Sequence, residues 1–185
     1  MNRPPVKNDQ LRSKFNLVID EKKKKEIRRM LDEYGDLNQK DRRGVTLLIY
    51  AAYHHRVELL KELLKRGADP NLQDNNGETA LHYCAIFAYA YKKLSLEMTK
   101  LLIKHGADVN IRDKIGNNPL MCCGGDKITK NEPHNLMEII LLLSSGADPD
   151  QTNYYNRSFR DGYSHHSNVE KILDAYDKKK AKSKK

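Results

Sequence analysis

DRRGVTLLIYAAYHHRVELLKELLKRGADPNLQ, residues 41–73, decides the fold, because the chain writes it three times. The second copy opens at Asp74 with DNNGETALHYCAIF and closes at Arg112 with LEMTKLLIKHGADVNIR. The third opens at Asp113 with DKIGNNPLMCCGGD and closes at Thr152 with LMEIILLLSSGADPDQT. These units measure 33, 39 and 40 residues, and the additions fall at the same place, between a first and a second helix. Self-similarity at such a period is the mark of an array in which each unit buries its apolar face only by stacking on its neighbours.

Each unit follows one physical grammar. Gly44, Gly77, Gly116 and then Asn156 stand at a turn position that calls for a left-handed backbone, which glycine adopts most readily and asparagine next. A short first helix is expected at Leu47 to Tyr53, Ala80 to Phe87 and Pro119 to Cys123, with a break at Gly124-Gly125 in the third unit. Small residues (Ala51-Ala52, Cys84-Ala85, Cys123-Gly124) mark where units approach closely. A second helix follows, carrying Leu59-Leu60-Leu63-Leu64, Met98-Leu101-Leu102 and Ile139-Ile140-Leu143 at helical spacing. Gly67, Gly106 and Gly146 end these helices.

The ends are degenerate copies. KKEIRRMLDEYGDLN resembles the second half of a unit, with Gly35-Asp36-Leu37-Asn38 in place of GADPN. From Asn153, Ser158 registers with Thr46 and Val169-Glu170 with Val57-Glu58. The expected organisation is a tail and capping helices over 1–40, three repeats over 41–152 (41–73, 74–112, 113–152), a closing repeat over 153–176, and a basic tail over 177–185. The fold class is an all-α solenoid of stacked helix-turn-helix units.

Composition agrees with a modest, regularly placed core. Hydrophobic residues make up 38% of 185, and the longest unbroken apolar stretch, Tyr83 to Tyr91, is far shorter than the ~18 residues a membrane helix needs. The N-terminal MNRPPVKNDQLRSKF lacks the apolar run of a secretory leader, and three cysteines make no disulfide framework, so a cytoplasmic protein is expected. The net charge of +9 is terminal: residues 35–176 hold 18 basic and 18 acidic side chains. Lys22 to Lys25 read as the solvated face of an amphipathic first helix, and KKKAKSKK as a frayed, solubilising tail.

The runs GVTLLIYAA, GETALHYCA and GNNPLMCC, with GADPN, GADVN and GADPD, closely resemble the ankyrin repeat over about residues 35–176. That resemblance implies a binding module with an extended concave surface made of turn tips and the exposed side of the first helices. It also implies that His82, the one histidine kept in the T-P-L-H position, is a buried hydrogen-bonding residue joining units. On the register, the partner-binding candidates at the tips are Lys40, Arg42, Arg43 and Val45; Asn75, Asn76 and Glu78; Arg112, Lys114 and Ile115; and Tyr154, Tyr155 and Arg157. On the first helices and the lengthened middle they are Tyr53, His54, Phe87, Tyr89 and Tyr91. Aromatic side chains and arginine are the types enriched at binding hot spots.

Reactive residues have structural readings. Asp41, Asp74 and Asp113 recur where a carboxylate bonds the backbone of the following turn. His54-His55 and His165-His166 point apart on their helices and lie units apart, so no shared metal is expected. No nucleophile–base pair or phosphate loop is present, and neither enzyme activity nor a cofactor is expected. The lengthened units and the GNNPL run also resemble the immunity proteins that bacteria encode beside secreted toxins. The expected partner is therefore one protein, a toxin or enzyme to be neutralised, bound by a chain that is monomeric alone. A nucleic-acid-associated adaptor using the lysine-rich ends, or a general scaffold, is the alternative.

Overall fold

The computed structural model describes residues 24–123, 135–163 and 165–183. Nine helices lie among them: α1 (Lys24–Asp32), α2 (Leu47–Tyr53), α3 (Val57–Lys65), α4 (Ala80–Phe87), α5 (Lys92–Lys104), α6 (Pro119–Cys122), α7 (Leu136–Ser144), α8 (Phe159–Tyr163) and α9 (Ser167–Ser183). Two layers result. The inner series α2, α4, α6 packs helix on helix, and the outer series α1, α3, α5, α7, α9 runs alongside. Leu47, Leu60, Leu81, Leu102, Leu120 and Leu142 are fully buried between the layers.

Local signals set the helix starts. The side chains of Thr46, Thr79, Asn118 and Ser158 each accept a backbone N–H three residues on, and Pro119 occupies the first turn of α6, where its missing N–H costs nothing. At Thr79 the cap is reciprocal, because the His82 ring nitrogen Nδ1 accepts the Thr79 N–H at 3.1 Å.

Side chains and backbone then tie unit to unit through the turns. Asn75 N–H donates to Arg43 O at 2.8 Å, Lys114 N–H to Asn76 O at 2.8 Å, and Tyr154 N–H to Ile115 O at 3.0 Å. Such closeness demands glycine: a Cβ on Gly44 (φ 76°) would lie 2.7 Å from Asn75 N. The fourth turn instead carries Asn156 at φ 56°. A second ladder runs through the linkers, where Asn38, Asn71 and Asn110 accept the N–H of Asp69, Asp108 and Asp148. Asp150 takes the asparagine's place in the last linker and instead pairs with Arg160 at 2.6 Å, which reaches on to Asp177 of α9 at 3.0 Å.

Three expectations change. Helix α9 continues through Ser183, so Lys178, Lys179, Lys180 and Lys182, expected in a frayed tail, form its final turns, where cations favour the helix dipole. Lys180 lies 5.5 Å over the Tyr176 ring. Cys123 caps α6 rather than lying within it, and the expected break at Gly124-Gly125 lies outside the described residues, as do Lys22, Lys23 and the N-terminal residues. The added residues of the second unit divide between a connection at 88–91 and an outer helix of 13 residues against 9 in the first. No described helix is long and apolar enough to cross a membrane.

Candidate protein-docking surface

Turn geometry places the tips. Asp41, Asp74 and Asp113 each accept two backbone N–H groups of the turn that follows, and Asn153 does the same in the fourth. These carboxylates hold loops, as expected. With the loops fixed, Arg42, Arg43, Lys114, Ile115, Tyr154, Tyr155 and Arg157 are exposed along one edge.

Other expected contact residues have structural work. Lys40 Nζ donates to Gln73 O at 2.7 Å, Gln73 Nε2 to Arg112 O at 2.8 Å, and the Arg112 guanidinium to Thr152 O. Equivalent residues thus form a third ladder between units. Arg112 also lies 5.2 Å over the Tyr154 ring, which joins that tyrosine to the ladder. Asn75 donates its side-chain amide to Arg42 O at 3.0 Å, and Asn76 reaches Glu78 at 3.4 Å. Val45 is half-buried against the core.

The inner rim of the first two units is aromatic. Tyr53 meets Phe87 edge-on at 5.4 Å and Tyr83 at 5.6 Å, while His54 packs on Tyr50 and Tyr53 at 4.4 and 4.9 Å. His55, at a left-handed φ of 54°, packs tilted against Tyr91 with ring centroids 3.8 Å apart and meets Phe87 edge-on at 5.2 Å. Tyr53 and Tyr91 remain 47% and 46% exposed after making these contacts, and Tyr89 beside them is 64% exposed. The structure therefore unites Tyr53, His54, Phe87 and Tyr91 in one patch and leaves Tyr154 and Tyr155 with the fourth turn. Burial, then the neighbouring His54, lowers the His55 pKa. Tyr83, which sequence alone did not single out, anchors the patch by donating to Asp74 at 2.7 Å.

A depression of about 760 Å³ lies beside α6. Ile86, Ile115, Met121, Arg157 and Phe159 line it.

His82 is completely buried, its Nε2 is 3.2 Å from Asn117 O, and burial lowers its pKa. It joins units, as the resemblance implied. His165 is exposed and His166 is buried against Tyr163 at 5.4 Å. Among the described residues, no three His, Cys, Asp or Glu side chains are placed to share a metal ion. In the lengthened second unit residues 88–91 form a turn entering α5, and residues 124–134 of the third lie outside the described residues.

One polar group was missed. Glu138 of α7 is 2% exposed and accepts the Thr99 hydroxyl on one oxygen, while its Oε2 has no partner among the described residues. Burial pushes its pKa up to about 7. Burial also raises the Cys84 and Cys123 thiols, with the Glu138 charge adding to it. The signal was available: registering the units on Gly67, Gly106 and Gly146 sets Glu138 beneath Leu59 and Met98, an apolar column.

Comparison with known proteins matches this architecture. The family described as "Ankyrin repeats (many copies)" matches residues 30–84, and that described as "Ankyrin repeat" matches residues 76–114. The chain is similar to neurogenic locus notch homolog protein 1 of Homo sapiens, 51% identical over 45 residues, which are 24% of this chain and 2% of that protein. It is similar to a putative ankyrin repeat protein of Acanthamoeba polyphaga mimivirus, 45% identical over 56 residues, 27% of this chain and 13% of that one. An ankyrin repeat protein of Monkeypox virus is 36% identical over 55 residues, 30% of this chain and 9% of that one. The chain thus spans a small part of these relatives' length. Recurrent capped helix pairs, glycine-gated turns and these matches have one explanation: the chain is an ankyrin-repeat protein, built from a protein-interaction module.

Proposed function

We propose that the chain is a non-enzymatic cytoplasmic protein that grips one protein partner along the inner rim and turn tips. The carrying observation is the aromatic patch: Tyr53 and Tyr91 keep nearly half their surface in solvent although Tyr83, Phe87 and His55 hold them in fixed orientations. Rigid aromatic rings lose little entropy on docking. Arg42, Arg43, Lys114 and Arg157 are exposed at the tips and suit an acidic surface on the partner. Lys40, Asn75 and Arg112 contribute through the ladder that shapes this edge. Cys84, Cys122 and Cys123 form no disulfide among the described residues, which suits a reducing compartment.

The finer reading is that the partner is a toxin or enzyme held inactive, with the depression beside α6 receiving a projecting loop. Its support is the resemblance of the lengthened units and the GNNPL run to immunity proteins. Capture of partners on immobilised chain tests the proposal. One stoichiometric protein is expected with the wild type, and its loss with Tyr53→Ala/Arg43→Ala at an almost unchanged Tm. Equal capture by the variant would overturn the assignment of the surface.

A further inference from the structure

The outer face of the third repeat departs from its counterparts. Registered on Gly67, Gly106 and Gly146, the pairs Glu58/Lys61 of α3 and Glu97/Lys100 of α5 become Met137/Ile140 on α7. Lys65 and Lys104 become Ser144. Met137 and Ile140 are 62% and 41% exposed. Charge is thus absent at positions where the first two repeats keep it, and apolar side chains stand exposed in its place. An apolar groove of about 540 Å³ lies here between α7 and α9, with Ile140, Leu143, Ile172 and Tyr176 along it. Lys171, Lys179 and Lys180 form its rim, and no carboxylate lines it among the described residues.

We propose that this groove, on the opposite layer from the inner rim, is a second docking site that takes an acidic amphipathic helix. Shape and charge select that occupant. From Lys171 to Lys180 the groove follows α9 for about 14 Å, between two and three turns of a bound helix. Apolar anchors at i, i+3, i+4 and i+7 enter such a groove, and flanking carboxylates meet the lysines. A second copy of this chain would set lysine against lysine. A bilayer fits a protruding apolar ridge better than an apolar floor recessed behind lysines.

Fluorescence anisotropy of the full chain with a labelled helical peptide of about 18 residues, leucine along one stripe and glutamate on its flanks, tests the site. Saturable binding is expected, weakened about tenfold or more by Met137→Glu/Ile140→Lys and by Lys179→Glu/Lys180→Glu, and by raising salt from about 50 to about 500 mM. The first double variant restores the residue types that α3 and α5 carry at these positions, so it folds, and its Tm serves as the check. The same peptide with lysine flanks is expected to bind at least about tenfold more weakly. No binding of the acidic peptide, or binding indifferent to Met137→Glu/Ile140→Lys, would overturn the proposal. So would phosphatidylserine vesicles capturing the chain when the peptide does not, or a concentration-dependent dimer that this variant dissolves. Tyr53→Ala leaves peptide binding intact, which separates this site from the inner-rim reading.

Discussion

The first and third repeats share their turns and linkers and differ in nearly everything else. Both hold an aspartate-locked turn, a positive-φ glycine, a capped inner helix and an outer helix closed by glycine. Yet the first carries a seven-residue inner helix with an aromatic rim and a charged outer face, whereas the third carries four residues, a buried glutamate and an apolar outer face. The turns and linkers are therefore where the fold is specified, because their ladders bond backbone groups that no other element satisfies. Helix surfaces away from those ladders are free to diverge, and docking surfaces arise there.

The sharpest way to break this comparison is to disturb the turns. Gly77→Ala should cost about 3 kcal/mol or more, since its φ is 79° and a Cβ would sit 2.7 Å from Lys114 N. Gly67→Ala, with a φ of 85° but nothing within 4 Å, should cost only about 1 kcal/mol. Urea unfolding of both variants measures the difference. Equal losses would mean that backbone strain alone matters and that turn stacking does not.

The core of the third repeat offers the next largest effect. A proton held on Glu138 up to about 7, against 4.5 for an exposed glutamate, means that the folded chain binds this proton more tightly than the unfolded chain. Its stability contribution is whole below about pH 4.5 and is lost as pH rises toward 7. Glu138→Gln keeps the acceptor for Thr99 and removes the charge, so it should stabilise by about 2–3 kcal/mol at pH 8 and by little at pH 4.5. Unfolding at the two pH values checks this.

Histidine gives the opposite slope in the first two repeats. His55 and His82 have pKa values lowered from 6.5 by burial, so the unfolded chain takes up their protons first and stability falls as pH drops through 6.5. His55→Asn, a residue that tolerates its φ of 54°, should flatten part of that acid loss while leaving the Tm at pH 7.5 nearly unchanged. A variant as acid-sensitive as the wild type would assign the slope to His82 alone. The smallest effect is expected at the third ladder: Arg112→Met should cost about 1 kcal/mol and Lys40→Met less, by thermal unfolding.

Most of the fold was legible because its controls are local. A left-handed turn needs Gly44 or Asn156, and a cap needs Thr46 or Asn118. Each leaves a letter in the sequence at a fixed offset. The site was legible only in part. Exposure of Tyr53 follows from register, but the meeting of Tyr91 with His55 depends on how a lengthened connection folds back, which no period encodes. Lys40 and Arg112 look like free basic tips, and only coordinates reveal carbonyls of the next unit within their reach. The lysines beyond Asp177 looked like a tail because charge runs repel; the end of α9 offsets that repulsion with its dipole and with Tyr176.

Docking through the inner rim is tested most directly by placing a photo-crosslinking phenylalanine analogue at Tyr53 and, separately, at Lys61 on the outer face of the first repeat. Irradiation in a lysate of the source cells should give one dominant protein adduct from position 53 and none of it from position 61. Equal labelling from both positions, or no discrete adduct from position 53, would contradict the account.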